Sequence, residues 1–138
     1  MKLFRNHLPP DCPPEDAKEA SENVYMLVND NTPKPEDFLS KREKHRDKPP
    51  FEPNDRECQA CGLSVYTEIS DLLNTRLRHR GFRKMKPALG KLTSEQGVMK
   101  HTPSLDSPSH HTWWVANDAT PWKVFQVINV TTESVMES

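Results

Sequence analysis

Thr67-Glu68-Ile69-Ser70-Asp71-Leu72-Leu73-Asn74-Thr75-Arg76-Leu77-Arg78-His79-Arg80-Gly81 is the stretch on which the reading of the fold turns. Ile69, Leu72, Leu73 and Leu77 recur at i, i+3, i+4 and i+8, which puts them on one side of a helix. Thr67 is placed to cap the start, Glu68 and Asp71 fall in the first turns, and Gly81 stands where a left-handed residue ends a helix. The pattern predicts one principal helix from about Thr67 to Arg80, laying an apolar stripe on a neighbouring layer. Val65-Tyr66 extends it backward or forms a strand leading in.

Around that helix the apolar runs are short. Val24-Tyr25-Met26-Leu27-Val28 has the length and β-branched ends of a buried strand, stopped by the turn chemistry of Asn29-Asp30-Asn31. Leu89–Leu92 reads as a weak strand. Val98–Thr102 follows a turn at Ser94–Gly97, and Thr112–Val115 and Val124–Val130 complete the set. Pro35–Arg46 carries proline at its start, acids in its first turn and bases in its last, which predicts a short, mostly exposed helix. Residues 47–57, with Pro49, Pro50 and Pro53, read as loop. The class expected is α+β: a small, mostly antiparallel sheet with one principal helix and a proline-rich N-terminal arm. Residues 1–23 form an extended lead-in, 24–130 a single small domain and 131–138 a frayed tail. The expected core is Val24, Leu27, Ile69, Leu73, Leu77, Val98, Trp113, Val124 and Val127. The helix followed by the pair Val98–Thr102 and Thr112–Val115 resembles the tail of a winged-helix domain over less than half of the chain, without the three-helix body.

Composition narrows the function classes. The 138 residues are 33% apolar and 28% charged, and nine of the 13 prolines lie in residues 9–53. No run reaches the 18 apolar residues of a membrane span, and the start has no apolar core of a secretory leader. No repeat, phosphate-cradling glycine loop, His-Glu-x-x-His or Gly-x-Ser-x-Gly motif is present. A soluble, cytoplasmic protein is the expectation, and three cysteines, an odd number, fit a reducing compartment.

The net charge of −1 hides an uneven distribution. Residues 1–57 carry 10 basic and 13 acidic side chains, net −3; residues 58–102 carry 8 and 3, net +5; residues 103–138 carry 1 and 4, net −3. The basic middle is densest at Arg76, Arg78, Arg80, Arg83, Lys84 and Lys86, with Lys91 beyond and no acid between Asp71 and Glu95. Guanidinium forks match phosphate geometry, so this segment is a candidate surface for nucleic acid or an acidic protein, with Phe82 available for stacking. The competing reading is a solvated helix end whose cations complement the dipole, or a patch neutralised by the acidic first half of the chain.

Three further features carry chemistry. Cys58-Gln59-Ala60-Cys61-Gly62 has the bite of half a zinc site, for which Cys12, His79, His101, His110 or His111 would supply the rest; otherwise the two are packed thiols. A metal in that place would stabilise a chain with so little apolar surface. Ser109-His110-His111-Thr112-Trp113-Trp114 reads as a strand, with His110 and Thr112 on one face and His111 and Trp113 on the other. His110 or His111 with Thr112 is then a candidate acid–base set for a phosphoester or nucleotide-like substrate. Trp113, Trp114 and Trp122 make this the most aromatic stretch, and each serves either as a binding surface or as packing for a thin core; of Trp113 and Trp114, one is expected inside and the other partly exposed. The first reading of the function is a small binding or regulatory module for an anionic partner, with no membrane involvement. A histidine-dependent enzyme and a zinc-stabilised interaction module are the alternatives. The thin core leaves room for a homodimer or a hetero-complex.

Overall fold

A computed structural model describes Phe4 and residues 8–129 of the chain. Seven strands form one antiparallel sheet: β1 (Lys18–Glu19), β2 (Asn23–Val28), β3 (Leu63–Tyr66), β4 (Lys86–Lys91), β5 (Gly97–His101), β6 (His110–Val115) and β7 (Phe125–Val127). Their order across the sheet is β1-β5-β6-β3-β2-β4-β7. Three α-helices accompany them: α1 (Lys41–Lys44), α2 (Asn54–Ala60) and α3 (Ile69–Arg78). The architecture is α+β, as the patterning predicts, and α3 is the longest helix. β5 and β6 do pair as a hairpin, but inside a seven-stranded sheet and not as a wing.

The alternation of side chains decides what is buried. Val24, Met26 and Val28 of β2 face inward with Leu63 and Val65 of β3, Trp113 and Val115 of β6, Met99 of β5 and Phe125 of β7. Leu27, expected in the core beside Val24, sits on the opposite parity and is half-buried. Phe38 closes this core from a 3-10 turn at Pro35–Phe38, with its ring 5.3 Å from Phe125 and 6.4 Å from Trp113. Among the remaining expected core residues, Leu73 is buried and Ile69, Val98, Val124 and Val127 are half-buried. Leu77 is 67% exposed, so the core does not cover the last member of the stripe.

Local chemistry explains the other departures from expectation. The segment 35–46 is two short helical turns and not one helix, because Leu39 is extended and Ser40 starts α1 with a capping box. The Ser40 hydroxyl accepts from Glu43 N at 3.2 Å and the Glu43 carboxylate accepts from Ser40 N at 2.9 Å. Nor is this segment mostly exposed: Phe38, Ser40 and Arg42 are buried. Residues 54–60, read as the end of a loop and the start of a thiol turn, are α2, anchored by Glu57. Its carboxylate takes a two-pronged bond from Arg42, 2.8 Å from Nε and 2.9 Å from Nη2, and also accepts from Phe51 N. α3 begins at Ile69 with Glu68, not Thr67, in the cap position, and the Glu68 amide donates to the Ser109 hydroxyl. Gly81 lies within a 3-10 turn, Arg80–Phe82, and does not terminate the helix.

The proline-rich lead-in is fastened to this frame. Cys12 is disulfide-bonded to Cys58, Lys18 and Glu19 pair with Met99 and Val98, and Phe4 bridges to Ala116. At the far end of β5, Gly97 has φ +126°, a conformation that glycine alone adopts without strain, and a Cβ there would run into the Trp114 carbonyl. The expected tail, 131–138, and Val130 lie outside the described residues.

Candidate functional site

β2 hydrogen-bonds β4 along its whole length but meets β3 in register only at Tyr25 and Tyr66. Beyond that pair the two strands part, and a cavity of about 920 Å³ opens between them. Met26 and Leu27 line one side; Gly62, Leu63, Ser64 and Tyr66 line the other. Lys41, Lys44, His45 and Arg56 come from α1, α2 and the turns beside them, and Thr75, Phe82 and Met85 come from α3 and the turn after it. Of the two acids on the wall, Asp37 is occupied: its carboxylate accepts from Asn29 and from the Lys34 amide.

Ser64 connects this cavity to the histidine strand. β3 and β6 pair Ser64 with Thr112 and Tyr66 with His110, so Ser64 and His110 are diagonal neighbours on one face. The Ser64 Oγ lies 2.9 Å from His110 Nε2. On its other side, His110 Nδ1 lies 2.9 Å from both the carbonyl oxygen and the hydroxyl of Thr102. A carbonyl only accepts, so Nδ1 carries the proton and Nε2 is left to accept from the Ser64 hydroxyl. The Thr102 hydroxyl is 2.9 Å from that of Thr112, and the Tyr66 ring stands edge-on to the imidazole with centroids 5.3 Å apart. Burial holds His110 below the ordinary imidazole range against the opposing pull of the Thr102 carbonyl, with smaller pushes downward from His111 and His101, so the ring is neutral near neutral pH.

The expected histidine set is thus divided. His110 and Thr112 share a face and belong to one hydrogen-bonded chain. His111 is on the other face, its ring tilted against that of His101 with centroids 4.8 Å apart, and bonded through Nδ1 to the Ser109 carbonyl. Ser64 and Thr102 complete the chain and were not visible in the sequence; the alternation that puts Ser64 and Tyr66 on one face of β3 was the available signal.

Both expectations for the aromatic residues change. Trp113 and Trp114 are both buried, because the sheet is covered on both faces at β6. The Trp113 indole donates to the Gln96 carbonyl at 2.9 Å and the Trp114 indole to the Cys58 carbonyl at 2.8 Å. Neither is a surface for a partner. Trp122 is half-buried and packs against the core.

The zinc expectation is corrected by the cysteines themselves. Cys58 is bonded to Cys12 and has no thiolate to offer a metal. Cys61 is buried, its thiol 3.6 Å from a Glu57 oxygen, and burial together with that carboxylate pushes its pKa up to about 12. A metal ligand needs the thiolate, which this environment disfavours. Among the described residues no three metal-ligating side chains converge. The disulfide also removes the premise of the reducing compartment, since such bonds persist where the surroundings are oxidising. Among the described residues no helix is long and apolar enough to cross a membrane.

The cations of the middle segment lie where α3 ends. Arg80, Arg83 and Lys84 are exposed on the turns after the helix, next to exposed Leu77 and Phe82. Arg78 pairs with Asp106 at 2.9 Å. Arg76 and Lys86 are half-buried, and Arg76 reaches the Met85 carbonyl at 3.4 Å. Three acids of the first half pair elsewhere: Asp16 with Lys100, Asp30 with Lys34 and Glu57 with Arg42. Compared with protein-family models, curated proteins and solved structures, the chain matches none.

Proposed function

We propose that the chain is a binding module for an anionic partner, nucleic acid or acidic protein, which it meets through the basic segment 76–91. The observation that supports this is the distribution of ion pairs. Of the seven cations in that segment, only Arg78 has a carboxylate partner among the described residues. Guanidinium groups without a carboxylate partner among the described residues, beside an exposed aromatic ring, match the chemistry of a phosphate chain with stackable bases, and also that of a row of carboxylates. The contact surface is Arg80, Arg83 and Lys84 with Phe82, flanked by Arg78.

Binding of a fluorescein-labelled single-stranded RNA and of labelled polyglutamate, followed by anisotropy at rising salt, tests the reading. Releasing the counterions of about four phosphates gives a log–log salt slope of about −3 for single strands, so doubling the salt weakens binding about eightfold. The triple variant Arg80→Glu, Arg83→Glu, Lys84→Glu keeps its melting temperature and loses binding. Arg76 is spared because it is half-buried and reaches the Met85 carbonyl, whereas Arg83, whose Nε donates to the Leu77 carbonyl at 3.3 Å, is exposed. Salt-insensitive binding, or none to either polyanion, would sink the proposal; which probe binds tells nucleic acid from protein.

A further inference from the structure

We propose that Ser64 and His110 are a nucleophile and its general base, and that the cavity between β2 and β3 takes an ester whose acyl part is anionic. The chemistry uses none of the cations of the basic segment, although Phe82 and Met85 of that segment form part of the cavity wall. Three features of the site carry it. The Ser64 hydroxyl is within hydrogen-bond distance of His110 Nε2, 2.9 Å, and lines the cavity. The tautomer is fixed in the needed sense by the Thr102 carbonyl on Nδ1, and the Thr102 hydroxyl is itself tied to Thr112, so the imidazole is oriented by a third group. The cavity wall carries three cations, Lys41, Lys44 and Arg56, against two acids, Glu36 and Asp37, the second already taken up by Asn29 and the Lys34 amide, so the lining favours a substrate bearing a carboxylate or phosphate.

The reaction balances without a cofactor. Ser64 Oγ forms a bond to the ester carbonyl carbon while its proton passes to His110 Nε2. The adduct collapses, the bond to the alcohol oxygen breaks, and Nε2 returns the proton to the departing alcohol. Water then attacks the acyl-serine, giving a proton to Nε2 that goes back to Ser64 Oγ as the acid leaves. Throughout, Nδ1–H stays on the Thr102 carbonyl, which also steadies the imidazolium formed between steps. Thr102 acts as a positioning residue, and His111, on the far face, takes no part.

The full oxidised chain is incubated with a fluorophosphonate and mapped by mass spectrometry, and hydrolysis of p-nitrophenyl succinate is compared with that of neutral p-nitrophenyl acetate. The expected result is one phosphonyl adduct, on Ser64, and faster turnover of the anionic ester. Ser64→Ala, an exposed position, abolishes both signals without changing the melting temperature. His110→Gln slows labelling by about 100-fold or more, the usual contribution of a general base. No adduct on Ser64 in the folded wild type, or an unchanged labelling rate in His110→Gln, would overturn the catalytic pair. Equal rates on the two esters would overturn the substrate class.

Discussion

Breaking the Cys12–Cys58 bond is the perturbation whose size follows most directly from the chain's connectivity. The bond closes a loop with a sequence separation of 46 residues. In the chain-entropy treatment a loop of that length costs the unfolded state about 4 kcal/mol at room temperature. With about 2.1 cal/mol/K of unfolding entropy per residue, that converts to a fall in melting temperature of about 14 °C for a chain of this size. It is a large share of the few to fifteen kcal/mol that holds a domain together. The bond also does something local: it clamps the arm to α2 beside the carbonyl that receives the Trp114 indole. Melting of the oxidised wild type is compared with Cys12→Ser/Cys58→Ser, using tryptophan emission, which shifts to the red when buried Trp113 and Trp114 meet water. Thiol titration of the denatured, unreduced protein gives one reactive thiol per chain, that of Cys61, which lies outside the disulfide. Three free thiols, or melting temperatures that coincide, would refute the reasoning.

Other consequences are smaller in scope. Trp113→Ala removes the ring stacked on Phe125 and met by Phe38, so urea titration gives a loss of about 3–5 kcal/mol, the range for aromatic-to-alanine changes in cores. Gly97→Ala forces a left-handed φ on a residue with a Cβ and drives that atom at the Trp114 carbonyl; stability falls by more than about 1 kcal/mol, whereas Gly81→Ala, in open space, leaves it nearly unchanged. Cys61, raised by burial from 9.0 to about 12, favours the folded state most below its unfolded pKa. The urea midpoint therefore declines from about pH 9 upward, and Cys61→Ala flattens that part of the profile; an identical slope in the variant would show the thiol is uninvolved. His110, lowered by burial, acts in the opposite range. Its stabilisation is complete above the unfolded imidazole pKa and is lost as pH falls through that value toward the folded one, a decline that His110→Gln removes.

What the sequence made legible, and what it hid, follows from the range of the interactions. β2, β6 and α3 were readable because each carries its own period over enough residues, and the parity of β6 rightly separated His110 and Thr112 from His111 and Trp113. On β2, Val24 and Leu27 have opposite parity and cannot face the same side, so only Val24 reaches the core. Leu77 continues the stripe of α3 in sequence, but the helix outruns the layer it packs on. α2 was concealed by the prolines before it, since its anchor is a carboxylate that makes sense only with Arg42 fifteen residues earlier. An odd cysteine count concealed a disulfide that leaves one thiol over. Ser64 stands 46 residues from His110, and only the β3–β6 register brings them together. Alternation alone divides Trp113 and Trp114 between core and surface, because nothing in the strand itself tells that a second layer, α2 and the clamped arm, covers its other face.

The most direct test of the binding account is a residue-resolved one: amide chemical shifts of the labelled chain, recorded while single-stranded RNA and then polyglutamate are added at low salt. The account predicts that one polyanion shifts the amides of residues 78–86 in a saturable way, that Phe82 ring signals move with them if the nucleic acid is the ligand, and that added salt reverses the changes. Shifts elsewhere with 78–86 unmoved, or no shift with either polyanion, would contradict it.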